Sequence, residues 1–333
     1  MRLAFDPRPL RLGGRSRKNG FALVTVIWGI ALITLLVVSY ASAARLRLQM
    51  AFNLAQATQA DLIADAAIGR GALMLLSESQ QKGAFPPIGG AAARQEEQVV
   101  HDGKPKFCFL IDSAVAISIE DENGKVDLNA ASQKLLQTLL AGLGLPAREA
   151  DAAAAGVVAF RSAEAGANAQ QIDASEKPFG LKHAPFQTIA ELDQVPGVSP
   201  LLFKRLSSLV TVHSRNPGVD PKAAPPALFA LLLGQPPEDV LSLLAKPFPN
   251  ALDRTDPRFP REFQGPGLGR VFLIHVEVVL ATGQTSVREA LLDLRGASGE
   301  AFAIKELRRA SARYFSTLRG SAKDLNSALS ECA

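Results

Sequence analysis

Four histidines, His101, His183, His213 and His275, and two cysteines, Cys108 and Cys332, are the residues of this chain best suited to metal binding or nucleophilic chemistry. The histidines are scattered, and none sits in an HExxH, GxSxG or P-loop pattern. Those patterns are the ones that bring a metal, a nucleophile or a phosphate together with its base or cradle. Each histidine is therefore read as a surface or satisfied core residue. The cysteines form no CxxC pair and have no histidine at ligand spacing, which argues against zinc. A Cys108–Cys332 disulfide is permitted outside the cytoplasm, although sequence alone does not bring the two together. Calcium is the one cofactor the residue types allow, through Asp121-Glu122. Its ligands cannot be matched position by position, and a solvated turn is the plainer reading. The set contains no catalytic residue, and the chain is not read as an enzyme.

The clearest chemical signal is a peptide bond on which another enzyme would act. Residues 1–20 hold Arg2, Arg8, Arg11, Arg15, Arg17 and Lys18 against Asp6 alone, a net of +5 in a chain whose total is +4. The other residues thus carry −1 between them, and the basicity belongs to a targeting leader, not to a binding surface. Gly20-Phe21 comes next, then an uncharged stretch to Ala44. Those residues form a helix of about 36 Å at about 1.5 Å per residue, enough to span a bilayer core. The hydroxyls of Thr25, Thr34, Ser39 and Ser42 can bond carbonyls one turn back, so they do not forbid insertion. The basic leader predicts a cytoplasmic N-terminus and export of the chain beyond Ala44, outweighing Arg45 and Arg47 on the far side. An ordinary signal peptide would be cut after the apolar run, where Ala41-Ser42-Ala43-Ala44 offers a site.

The segment Gly20-Phe21-Ala22-Leu23-Val24-Thr25-Val26 resembles the G-F-x-L-(I/V)-E-V processing site of type IV prepilins and type II secretion pseudopilins. The resemblance implies cleavage by the prepilin peptidase between Gly20 and Phe21, methylation of the new Phe21 amino terminus, and retention of the helix. A glycine before the cut suits a confined peptidase site because it has no side chain. Thr25 stands where most members carry glutamate, a carboxylate costly in the membrane unless partnered. Within the family its absence resembles the minor pseudopilin K (general secretion pathway protein K, the GspK family), which is placed at the filament tip. Neutral drift at a lipid-facing position is the competing account of Thr25.

These residues need a scaffold of several elements. Residues 1–20 are the leader and 21–44 the membrane helix. Residues 45–81 continue it as an amphipathic helix, with Leu46, Leu48, Met50, Leu54, Ala57, Leu62, Ile63, Ala66, Ala67, Leu73 and Leu76 at helical spacing. Gly83, Pro86, Pro87 and Gly89-Gly90 stop it. Within 82–128 the spacing predicts strands at 107–111 and 114–120, a turn at 121–124, and a return strand at 125–128. An insertion at 129–246 is helical in pattern. It has Asn129 as N-cap of a helix over 132–143, an Ala-rich helix over 147–161, and a Thr188-Ile189-Ala190-Glu191 capping box opening a helix-hairpin-helix-like unit through 201–209. Residues 247–306 bring a loop and a second hairpin, 270–281 and 284–294 around Thr282-Gly283, and 307–333 form a C-terminal tail. The expected class is α+β. A pilin-like long N-terminal helix packs on a small antiparallel sheet, which a large all-helical insertion interrupts.

The hairpin also supports a rival reading, a membrane-anchored DNA receptor of a competence system. Three observations weigh against nucleic acid. Ser199 replaces a second glycine in the turn, residues 127–215 carry eight basic and eight acidic residues, and the aromatics there are sparse, chiefly Phe160, Phe179, Phe186 and Phe203. The resemblance implies instead a type II secretion pseudopilus cap, anchored by one pass in the inner membrane with its C-terminal domain in the periplasm. Its implied partners are the minor pseudopilins I and J, and the insertion would leave no room for another subunit stacked above it.

Overall fold

The computed structural model describes residues 19–83, 101–111, 113–162, 182–246, 256–267, 269–294, 301–323 and Cys332. The basic residues from Arg2 to Lys18, the stop signals Pro86 to Gly90, Phe179 and, in the tail, residues 324–331 and 333 lie outside the described residues. The chain divides into two units, residues 1–56 and 57–333.

Helix α1 spans Asn19–Gly83. In the first unit its large apolar side chains from Phe21 to Leu54 are exposed, and the helix is long and apolar enough to cross a membrane, with a mean hydropathy of 2.7 over its most apolar 18 residues. The hydroxyls behave as helix back-bonding requires. Thr25 Oγ1 donates to the Ala22 carbonyl at 2.9 Å, Thr34 to Ile30 and Ala31, and Ser42 to Ser39. None of these side chains therefore presents an unpaired donor to an apolar medium.

The second unit is built on a five-stranded antiparallel sheet in the order β1-β2-β5-β6-β7. The strands are β1 Lys106–Leu110, β2 Ser113–Asp121, β5 Val271–Leu280, β6 Thr285–Asp293 and β7 Ala303–Arg309. The β5–β6 hairpin turns at Thr282-Gly283, and Gly283 takes φ +86, a left-handed value that a glycine adopts without steric cost. Strand β7 and a last helix, α7 (Phe315–Lys323), lie beyond the 284–294 strand, where the sequence predicts no further strand or helix and a C-terminal tail from 307. Alternation within β7 places charged Lys305, Glu306, Arg308 and Arg309 on a mostly exposed edge strand, so its apolar signal is weak.

One face of the sheet receives the C-terminal part of α1. Ala60, Ile63, Ala64, Ala67, Ile68, Ala72 and Leu75 bury against Val115, Ile119, Ile274, Val276, Val278, Ala290 and Leu292. The buried stripe of α1 is rich in alanine, and Leu62 and Leu73, expected inside, are 63% and 67% exposed. Small side chains win the inner face because they let the helix axis approach the β-branched surface of the sheet. Arg288 on β6 fixes the register by pairing with Asp61 (3.3 Å) and Asp65 (3.6 Å).

Strands β2 and β5 are sheet neighbours, yet about 150 residues of chain separate them and include a mainly helical core, not an all-helical one, since the short strand β4 (Val210–Thr211) lies within it. Its elements are α2 Gln133–Gly142, α3 Ala147–Arg161, α4 Pro200–Leu206, α5 Pro226–Leu232 and α6 Pro237–Ala245. Its buried cluster runs from Val126 to Phe263 and so takes in residues on both sides of 129–246. Three local expectations are corrected here. Residues 125–128 do not pair back across the turn. Instead β3 (Val126–Asp127) pairs in parallel with β4 (Val210–Thr211), a two-stranded clasp closing the helical unit. The N-cap of α2 is Ser132, which accepts from Leu135 N, while Asn129 bonds both backbone groups of Phe186. Thr188 makes no capping bond, and the next segment is a 3-10 turn, Ile189–Gln194, whose Glu191 pairs with Lys182.

Candidate functional site

Gly20, Phe21 and Thr25 lie in the first turns of α1, with Phe21 78% exposed. Thr25 turns its only polar atom onto its own helix, so the position offers no charge to a neighbour. The surface beyond it, including Trp28, Leu32, Leu35, Leu36 and Tyr40, is exposed and apolar.

Of the residues that could hold a ligand, Asp121 and Glu122 are both spoken for. Asp121 Oδ1 accepts from Asn123 N at 2.8 Å, and Glu122 pairs with Lys125 at 2.8 Å. The turn is buried, not solvated. Among the described residues no group of three or more histidine, cysteine or acidic side chains could hold a metal ion. Cys108 and Cys332 are bonded to each other, with Cα atoms 4.9 Å apart and 224 residues between them in sequence. Cys332 N also donates to the Phe109 carbonyl at 3.0 Å, so the chain's far end is tied to β1.

The helix-hairpin-helix-like segment is a packing device. Gly197 takes φ +80, and a Cβ there would touch that of Ala153 at 3.5 Å, so the turn faces α3. Val195 and Val198 are buried, Ser199 caps α4 through Leu202 N, and Arg205 Nη1 donates to the Leu143 carbonyl. Phe160 and Phe186 stack on each other at 4.5 Å inside the core and present no face to a base.

The second face of the sheet holds a buried charged cluster that sequence reasoning missed. In β5 the residues Phe272, Ile274, Val276, Val278 and Leu280 pack toward α1, which leaves Val271, Leu273, His275, Glu277 and Val279 for the other side. His275 is fully buried, with Nδ1 2.9 Å from Glu289 Oε1 and Nε2 3.0 Å from Glu277 Oε1. Arg313 reaches Glu289 (2.9 Å) and Glu120 (2.6 Å), and Arg308 reaches Glu289 (3.1 Å). The Arg313 and Tyr314 backbone N–H groups both donate to Glu277 Oε1. Lys125 closes the far end between Glu120 (2.7 Å) and Glu122. Burial alone would raise the carboxyl pKa values, yet Lys125 and Arg313 hold Glu120 at about 2. For Glu289 the hydrogen bond from His275 and the neighbouring arginines outweigh burial in the same way, again to about 2. Burial would lower His275, but its bonds to the two carboxylates prevail and its pKa is raised. The available signal was the i, i+2 spacing of His275 and Glu277 in an otherwise apolar strand, which puts both on one face.

A cleft of about 1260 Å³ lies beside this cluster, between the sheet and the helical elements, bordered by Leu273, Leu291, Arg308, Ile189, Pro225 and Leu244 among others.

Residues 108–215 match the family model described as type II secretion system (T2SS), protein K. The stretch begins in β1, ends just past β4, and takes in β2 and the first three helices of the helical core. One chain of the crystal structure of the GspK-GspI-GspJ complex from the enterotoxigenic Escherichia coli type 2 secretion system resembles this one at 17% identity and a TM-score of 0.49. That similarity covers 80% of this chain and 100% of the other. No curated protein matches the chain.

Proposed function

We propose that this chain is a minor pseudopilin of the K type, which acts by assembly at the tip of a type II secretion pseudopilus. The observation that carries the proposal is the match of residues 108–215 to the protein K family, in a chain whose α1 can cross a membrane. Prepilin peptidase cuts between Gly20 and Phe21, and Phe21 becomes the methylated amino terminus. The retained helix anchors the protein in the inner membrane with the N-terminus cytoplasmic and the second unit in the periplasm. Exposed Leu62 and Leu73, on the side of α1 away from the sheet, suit the helices of I- and J-type minor pseudopilins. The helical insertion closes the filament above. Catalysis has no part in this role, and the buried aromatics and internally used Arg205 support a hairpin that packs and does not bind DNA.

The test is detergent solubilisation of membranes carrying an affinity-tagged full chain, followed by capture and identification of the proteins that accompany it. Other minor pseudopilins of the secretion system are expected in the eluate, and deletion of the gene should leave secreted proteins trapped in the periplasm. Salt-dependent DNA retention by the purified full chain, with secretion intact in the deletion strain, would favour the receptor reading.

A further inference from the structure

The charged cluster on the second face does more than neutralise itself, because it holds a particular piece of chain. Residues 310–323 cross the sheet on that face, and α7 buries Leu318 with Tyr314 against Ala114, Ala116 and Val279, flanked by Phe107 and Phe109. The entry to α7 is fixed by the two backbone bonds to Glu277 and by the Arg313 guanidinium between Glu120 and Glu289. The Tyr314 ring stands edge-on to His275 at 5.6 Å.

The imidazole must therefore satisfy two carboxylates at once. A neutral imidazole has one N–H donor and one lone pair, so it can serve only one of them. Only the imidazolium donates to both Glu277 and Glu289. The facing charges are Glu120 with its partner Lys125 from the β2 end, Glu277 on β5, Glu289 on β6, Arg308 on β7, and Arg313 with Tyr314 on the segment itself. Among the described residues Glu277 Oε2 is buried with no hydrogen-bond partner, so the charge on Glu277 is met through Oε1 alone. Loss of the histidine proton would leave one of the two carboxylates, Glu277 or Glu289, facing a lone pair, while Glu277 Oε1 still holds the two backbone N–H groups.

We propose that His275 is a proton-operated latch, whose imidazolium seats the segment carrying Arg313, Tyr314 and α7 on the sheet and whose deprotonation unseats it, uncovering the apolar face around Ala114, Ala116 and Val279. The sign comes from the upward displacement of His275. A group whose folded pKa is raised stabilises fully below its unfolded value and loses that contribution as pH rises through the folded one. The latch is therefore closed below the ordinary histidine value of about 6.5 and loosens as pH rises through the higher folded one. The proposal rests on the cluster's geometry and stands or falls independently of the pseudopilin reading.

Hydrogen exchange of the full chain in detergent micelles tests it, with rates corrected for the intrinsic effect of pH. Protection of the amides from Arg313 to Leu318 is expected to fall about tenfold between about pH 6 and about pH 9, while α2 stays unchanged. In His275→Gln the segment should be weakly protected at both pH values, with no slope. In Glu289→Gln one carboxylate partner is lost, so the fall should move to lower pH, a shift that a purely structural role would not produce. Flat protection in the native protein overturns the latch, as does an unmoved midpoint in Glu289→Gln. Should His275→Gln fail to fold, the native profile and the Glu289→Gln midpoint decide the matter alone.

Discussion

The two faces of the sheet solve burial in opposite ways. Toward α1 the interior is dry and aliphatic, with Val115, Ile274, Val276, Val278, Ala290 and Leu292 at or near zero exposure. On the other face the equally buried His275, Glu277 and Glu289 are charged and depend on Arg313, brought from 24 to 38 positions further along the chain. An aliphatic face is indifferent to pH and tolerant of modest repacking. A charged face is specific and fragile, because removing one partner strands the others out of water.

The largest effect should come from the charged side. Glu277→Ala leaves the His275 imidazolium and the backbone N–H groups of Arg313 and Tyr314 without their shared acceptor, and a loss of about 3–5 kcal/mol is expected in urea unfolding. On the aliphatic side Ile274→Ala should cost about 2–4 kcal/mol through lost burial and a residual cavity. That cost should be the same at every pH, whereas the cost of Glu277→Ala should shrink in alkali as His275 deprotonates. Comparable pH profiles for the two variants would erase the distinction between the faces. The acid limit has the opposite sign. Glu120 and Glu289 are held at about 2 against an ordinary 4.5, so their contribution is present above pH 4.5 and is lost as pH falls toward 2. A smaller effect, about 1 kcal/mol, is expected for Ser132→Ala, which removes the cap of α2 in the helical unit and touches neither face.

Legibility in sequence divided along the same line. The helix over Ala147–Arg161 and the hairpin about Gly283 could be read because local periodicity and turn chemistry set them. Strand β3 could not, since its partner β4 lies 84 residues away and two residues carry no period. The inner side of α1 was misjudged at Leu62 and Leu73 because hydrophobicity alone favours leucine inside, while close helix–sheet approach favours alanine. The charged cluster was hidden for another reason. Its histidine and two of its carboxylates share a hairpin, but Arg313 and Tyr314 arrive through tertiary packing, and nothing local distinguishes them from surface residues.

At the N-terminus, Gly20, Phe21 and Thr25 carry a reading that depends on the action of another enzyme on the chain. Intact-mass and N-terminal analysis of the protein recovered from membranes addresses it directly. The expected product begins at a methylated Phe21, keeps all of α1 from that residue on, and fails to form in Gly20→Leu. A product beginning beyond Ala44, or one that matures normally in Gly20→Leu, would contradict it.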